Sequence, residues 1–151
     1  TPEIIVADTG HAAGRRLRDY AGFGDAASEK TAVLIECGQH WEAAAAPVAV
    51  DSVYRWLLIH DMIDTDTAGP NLLPLPSAQR VAKVEASVTV ETDRFEFAQP
   101  FTGLETLAKG ELIGTDGEKE ICAPHDGCVL IMPSRRLTPG ATAVRLGRWV
   151  E

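Results

Sequence analysis

The residues best suited to chemistry lie in Leu34-Ile35-Glu36-Cys37-Gly38-Gln39-His40-Trp41-Glu42. Thr31 to Ile35 is an apolar run of strand length, and Glu36 follows it directly, two residues before a glycine. An ionised carboxylate costs several kcal/mol to bury unless it is paired or hydrogen-bonded. An acid in this position therefore belongs at the carboxyl end of a strand, facing a crevice, which is where open α/β sheets bind ligands. There Glu36 can act as a general base with a pKa tuned by partial burial. The competing reading is a surface glutamate at a strand end that caps the next helix.

Three further groupings invite chemistry. Cys37 and His40 could form a nucleophile and base, but no Asp or Asn is evident to orient the histidine, and a small packing cysteine explains Cys37 as well. Cys122-x-x-His125-x-x-Cys128 has the sulfur and imidazole that suit zinc. It offers three candidate ligands across a Pro-x-Asp-Gly turn, and two strand cysteines with an exposed turn histidine account for the same residues. Arg15, Arg16 and Arg18, or Arg135 and Arg136, could hold a substrate carboxylate bidentately or simply be solvated.

The elements that must position these groups change character near residues 65–80. Ahead of that point the pattern is α/β. Ile4 to Ala7 is a short strand, Ala12 to Ala21 a short helix, and Thr31 to Ile35 a strand covered on both faces. Val50, Val53, Tyr54, Leu57, Leu58 and Met62 then recur at helical steps, with Pro47 in the first turn. Residues 65–77, with Gly69, Pro70, Pro74 and Pro76, read as a linker. Beyond it the period is two: Val84, Ala86, Val88 and Val90 alternate with polar residues, the pattern of a half-buried antiparallel strand. Phe95 and Phe97, Leu112-Ile113, Cys128 to Met132 and Ala143 to Leu146 follow as short strands between glycine turns, the layout of a small β-barrel or sandwich.

Composition narrows the function classes. The 151 residues carry 22 acidic and 14 basic side chains, a net charge of -8. Nucleic-acid and anionic-membrane surfaces need clustered Lys and Arg, so neither partner is expected. No apolar run reaches membrane-span length. Three cysteines, an odd number, suit reduced thiols in the cytoplasm. The start at Thr1, almost immediately followed by a strand, fits a chain cut from a longer one.

The strand–Glu–x–Gly segment followed by an alanine-rich stretch resembles the catalytic-glutamate region of the succinylglutamate desuccinylase/aspartoacylase family, relatives of zinc carboxypeptidases. Lys109-Gly110-Glu111-Leu112-Ile113-Gly114, Ile121-Cys122-Ala123-Pro124-His125-Asp126-Gly127-Cys128-Val129-Leu130 and Pro139-Gly140 resemble the C-terminal β-domain of its bacterial members. The tail is also similar to biotinyl- and lipoyl-type half-barrels, although Leu130 to Arg136 contains no lysine to carry a cofactor. The resemblance implies that Glu36 is general base and then general acid toward a water activated by Zn²⁺. The family holds that metal with a His-x-x-Glu pair and a later His upstream of the glutamate. None of His11, His40, His60 and His125 is followed at three residues by Glu. His11 is tempting as a third ligand, yet it lies much closer to Glu36 than the family's histidine does, so the ligands are expected outside this chain.

The expected architecture is the C-terminal part of a zinc-carboxypeptidase-like α/β domain (1–64), a linker (65–77) and a small all-β, biotinyl/lipoyl-like domain (78–151). The last would shape the site entrance or a homo-oligomer contact. The expected activity is hydrolysis of an N-acyl amide, or ester, of a small amino-acid-like molecule, with Zn²⁺ and Glu36. The chain by itself is expected to be inactive. The alternative is a non-catalytic binding or assembly module on the same fold.

Overall fold

Val81, Val84 and Val88 are β-formers, and they sit in the longest strand, β2 (Arg80–Thr89), of a computed structural model that describes residues 2–8, 16–38 and 42–150. Ahead of it come β1 (Ile4–Ala7), α1 (Ala45–Ile59) and α2 (Thr65–Ala68). After it come β3 (Phe95–Phe97), β4 (Thr106–Leu107), β5 (Leu112–Asp116), β6 (Lys119–Cys122), β7 (Cys128–Ile131) and β8 (Thr142–Val150). The strands form two sheets, ordered β1-β2-β8-β7-β4 and β3-β5-β6. The first is mixed, since β1 runs parallel to β2 while the other pairs are antiparallel. The chain divides into two compact units: unit 1 takes Thr1–Glu3 and Gly10–Ala78, and unit 2 takes Ile4–Thr9 and Gln79–Glu151.

Unit 2 holds the apolar core. Leu107, Cys128, Leu130, Val144 and Leu146 from the first sheet pack with Ile113 of the second, and Phe97 and Ile121 join them. All four residues of β7 are buried, because its opposite face carries Val129 and Ile131 against Ala82.

The alternation of Val84, Ala86, Val88 and Val90 predicts one buried face, and the structure corrects this. Val84 pairs with Gly147 but Ala86 with Leu146, which leaves Glu85 as the extra residue of a β-bulge. The bulge reverses the inward direction. Val84 packs with Ala82, Val129 and Ile131, whereas Val88 packs with the core that contains Leu130 and Val144. Ala86 is left exposed. The bulge requires Gly147, where a Cβ would lie 2.2 Å from Lys83 O and 3.0 Å from Ile131 Cδ1.

Asp116, at the end of β5, is the buried polar residue of unit 2. It accepts hydrogen bonds from the Thr92 hydroxyl, from Glu91 N (2.6 Å) and from Thr92 N (3.0 Å), fastening the turn between β2 and β3. The Thr92 hydroxyl and the Glu91 amide hold its carboxyl below the ordinary value of 3.8, against the opposing effect of burial.

Unit 1 differs from expectation in several places. The helix forms over Ala45–Ile59 with Pro47 in its first turn, but Met62 lies beyond its end. Thr31 to Ile35 is not a strand, and Val33 and Leu34 are more than half exposed. A strand needs a hydrogen-bonding neighbour. Among the described residues unit 1 supplies none, and β1, expected in the α/β portion, pairs with β2 instead. Of the helix expected over Ala12 to Ala21, residues 12–15 lie outside the described ones, and the rest contributes one 3-10 turn, Leu17–Asp19. Residues 65–77, read as a linker, contain α2, capped by Asp64 accepting from Thr67 N at 2.7 Å, and a 3-10 turn at Gly69–Asn71. Ala68 is the only buried residue among those described in this unit. No helix among the described residues is long and apolar enough to cross a membrane.

Two stability measurements follow from unit 2. Gly147→Ala forces Lys83 away from β8 and should lower the urea-unfolding free energy by about 2 kcal/mol. Asp116 stabilises the fold above the ordinary carboxylate range and loses that contribution as pH falls below 3.8 toward its depressed folded value. Asp116→Asn should therefore be less stable than the parent at neutral pH, and the gap should narrow as pH falls through the depressed folded value.

Candidate functional site

Asp51 and Arg55 stand one turn apart on α1, a spacing at which opposite charges meet. Arg55 Nε donates to both oxygens of Asp51 at 2.9 Å. Asp51 Oδ1 also accepts from Leu73 N at 2.7 Å, and Arg55 Nη2 donates to Leu73 O at 2.6 Å. The pair thus satisfies both backbone groups of one residue, as a neighbouring strand would, and pins Leu73 to the helix. Burial pushes the Asp51 carboxyl up, but the Arg55 guanidinium and the Leu73 amide outweigh it and hold the group below 3.8.

This clamp builds one wall of an open cavity of about 320 Å³ whose lining includes Glu36, Glu3, Asp51, Ser52, Leu73 and Pro74. Ser52 Oγ is turned onto the helix, donating to Val48 O at 2.7 Å. The Glu36 side chain is exposed, where the sequence suggests partial burial. A carboxylate at the rim of an open cavity keeps access to water, which a group that exchanges protons with water needs.

The sequence-predicted groups do not all converge on this cavity. Glu36 lines it. Gln39, His40 and His11 lie outside the described residues, as does Arg15. Cys37 is half-buried, Cys122 exposed and Cys128 buried in the core. His125, midway between the last two in sequence, is paired with Glu85 at 3.0 Å. Arg16 is engaged with Asp19 at 2.8 Å. Asp51 and Ser52 were missed because they read as the solvated face of a helix. The Asp-x-x-x-Arg spacing was the available signal, although it could not name Leu73 as the third member.

Zinc needs three protein ligands in a catalytic site. Among the described residues no three of His, Cys, Asp and Glu gather into a group that could hold a metal ion. The carboxylates of the cavity, with a serine hydroxyl turned away and no imidazole from the described residues, do not fit that metal.

Neither a family model nor a curated protein matches the chain. Two similar solved structures are succinylglutamate desuccinylases of Vibrio species. That of Vibrio parahaemolyticus is 21% identical with a TM-score of 0.47, over 58% of this chain and 26% of that one. That of Vibrio cholerae is 22% identical with a TM-score of 0.45, over 60% of this chain and 29% of that one. Both carry the name of the family that the motifs resemble. The match spans less than a third of either solved structure.

Asp51→Ala removes the acceptor that holds the Leu73 amide. Hydrogen exchange at the Leu73 amide should quicken about tenfold, the size of one lost hydrogen bond to a charged group.

Proposed function

We propose that this chain is the C-terminal portion of a zinc-dependent deacylase of the succinylglutamate desuccinylase/aspartoacylase type. The intact enzyme hydrolyses an N-acyl amide, or an ester, of a small amino-acid-like molecule in the cytoplasm. In this reading unit 1 completes a zinc-carboxypeptidase-like α/β domain, and unit 2 is its small all-β, biotinyl/lipoyl-like appendage. The observation that carries the reading is the place of Glu36, exposed at the rim of a cavity walled by the Asp51–Arg55 clamp. Glu36 takes a proton from the attacking water and returns it to the departing amine. Zn²⁺ belongs to polypeptide outside the described residues, whose own side chains offer it no site, and the chain alone is inactive.

Unit 1 supports this reading physically. Fifteen helical residues with an apolar face and no buried member make a poor free-standing domain, since burial of apolar surface is the main term favouring folding. Further polypeptide packed on α1 would supply it.

The test uses the longer protein that contains this chain. Glu36→Gln should lower kcat by at least about a hundredfold, while metal analysis still finds one zinc per chain and circular dichroism is unchanged. A protein without zinc, in which Glu36→Gln leaves ligand binding intact, is instead a binding or assembly module.

A further inference from the structure

A second cavity, of about 390 Å³, opens in unit 1 beside the one that Glu36 lines. Its walls are Pro47 and Val50 of α1, then Pro70, Asn71 and Leu72 at the 3-10 turn, and Leu73. Leu73 also lines the Glu36 cavity, so the two spaces are continuous across one side chain. Asn71 supplies a polar side chain and the rest of the lining is apolar. Val50 and Leu73 are 42% and 40% exposed, so an occupant that covers them gains the free energy of apolar burial. The walls are already fixed. Each proline ring locks a backbone angle, and Leu72 N donates to Gly69 O at 3.2 Å. The Asp51–Arg55 clamp holds both backbone groups of Leu73. A cavity set in shape beforehand loses little entropy on taking a ligand.

We propose that this second cavity receives the acyl chain of the substrate, and that the chain is short, aliphatic and uncharged. The assignment rests on the deacylase reading above, because Glu36 marks the first cavity as the place of the reacting carbonyl. From there a chain of a few carbons passes Leu73 and lies against Val50, Pro47 and Pro70. Its methylenes leave water for apolar walls, which favours binding by about fourfold for each one buried. A chain that ends in a carboxylate meets the same walls and gives up its hydration, a transfer that an ionised group resists. Arg55, the cation that holds the shared wall, is already engaged with Asp51 and with the Leu73 carbonyl. Val50 is thereby the specificity-determining residue of the acyl side.

The longer protein that contains this chain is assayed with N-acetylglycine, N-butyrylglycine and N-succinylglycine. The kcat/KM for the butyryl compound should exceed that for the acetyl compound about tenfold, and that for the succinyl compound by at least as much. Val50→Trp fills the cavity and should bring the butyryl-to-acetyl ratio back toward unity. Val50→Ala adds room and should extend the preference to N-hexanoylglycine. Binding is read apart from chemistry with two ketones that cannot be hydrolysed: methyl propyl ketone for the butyryl group and levulinate for the succinyl group. The first should shift the methyl signals of Val50 and Leu73 and saturate at about a tenfold lower concentration than the second. A preference for the succinyl compound or for levulinate, or a butyryl-to-acetyl ratio indifferent to both Val50 substitutions, overturns the acyl subsite and leaves the role of Glu36 standing. Methyl shifts at Val50 without any hydrolysis that depends on Glu36 overturn the deacylase reading instead, and with it the use assigned to this cavity.

Discussion

One missing methyl group organises unit 2. Because Gly147 has no Cβ, the backbone of β2 can close on β8 at Lys83, and the strand accommodates that approach by carrying one residue more than its partner. From the bulge onward β2 faces the other way. A single strand thereby serves two apolar clusters on opposite sides of its sheet, which is why β7, its neighbour but one, is buried on both faces. The same bulge turns Glu85 toward Arg148 and His125. Packing and electrostatics in this unit share one backbone irregularity.

Unit 1 is governed differently. It has almost no core of its own among the described residues, and its order comes from polar fastenings. Asp51 and Arg55 hold both backbone groups of Leu73, and Asp64 caps α2. Such contacts are directional and fix where a chain segment lies, but each contributes only about 1 kcal/mol net. The unit is thus better specified in geometry than it is stabilised by burial.

The parts legible in the sequence were those decided by near neighbours. The recurrence from Val50 to Leu58 marks α1, and Ile4 to Ala7, Phe95 to Phe97 and Cys128 to Ile131 appear as strands where their composition places them. Features decided at a distance were hidden. The bulge depends on Gly147, far beyond Glu85 in sequence, and alternation alone placed Val84 and Val88 on one face. Asp51 finds its partner 22 residues away and His125 finds its partner 40 residues away. Thr31 to Ile35 has strand-like residues without a strand-like neighbour, and composition cannot report a missing neighbour. The apolar run that brought Glu36 to notice is therefore irregular, although the cavity beside it exists.

The parallel pairing of β1 with β2 has a kinetic meaning. The Gly10–Ala78 stretch of unit 1 is threaded between these two strands, so their union closes the longest loop in the sheet and incurs a correspondingly large entropy loss before any ladder bond forms. On a ribosome Ile4-Ile5-Val6-Ala7 emerges before its partner and must wait, unpaired, until Arg80 to Lys83 is made. During that interval an Ile-Ile-Val run of high strand propensity stands open to any other extended chain, so the strand made before its partner is the one that needs protection.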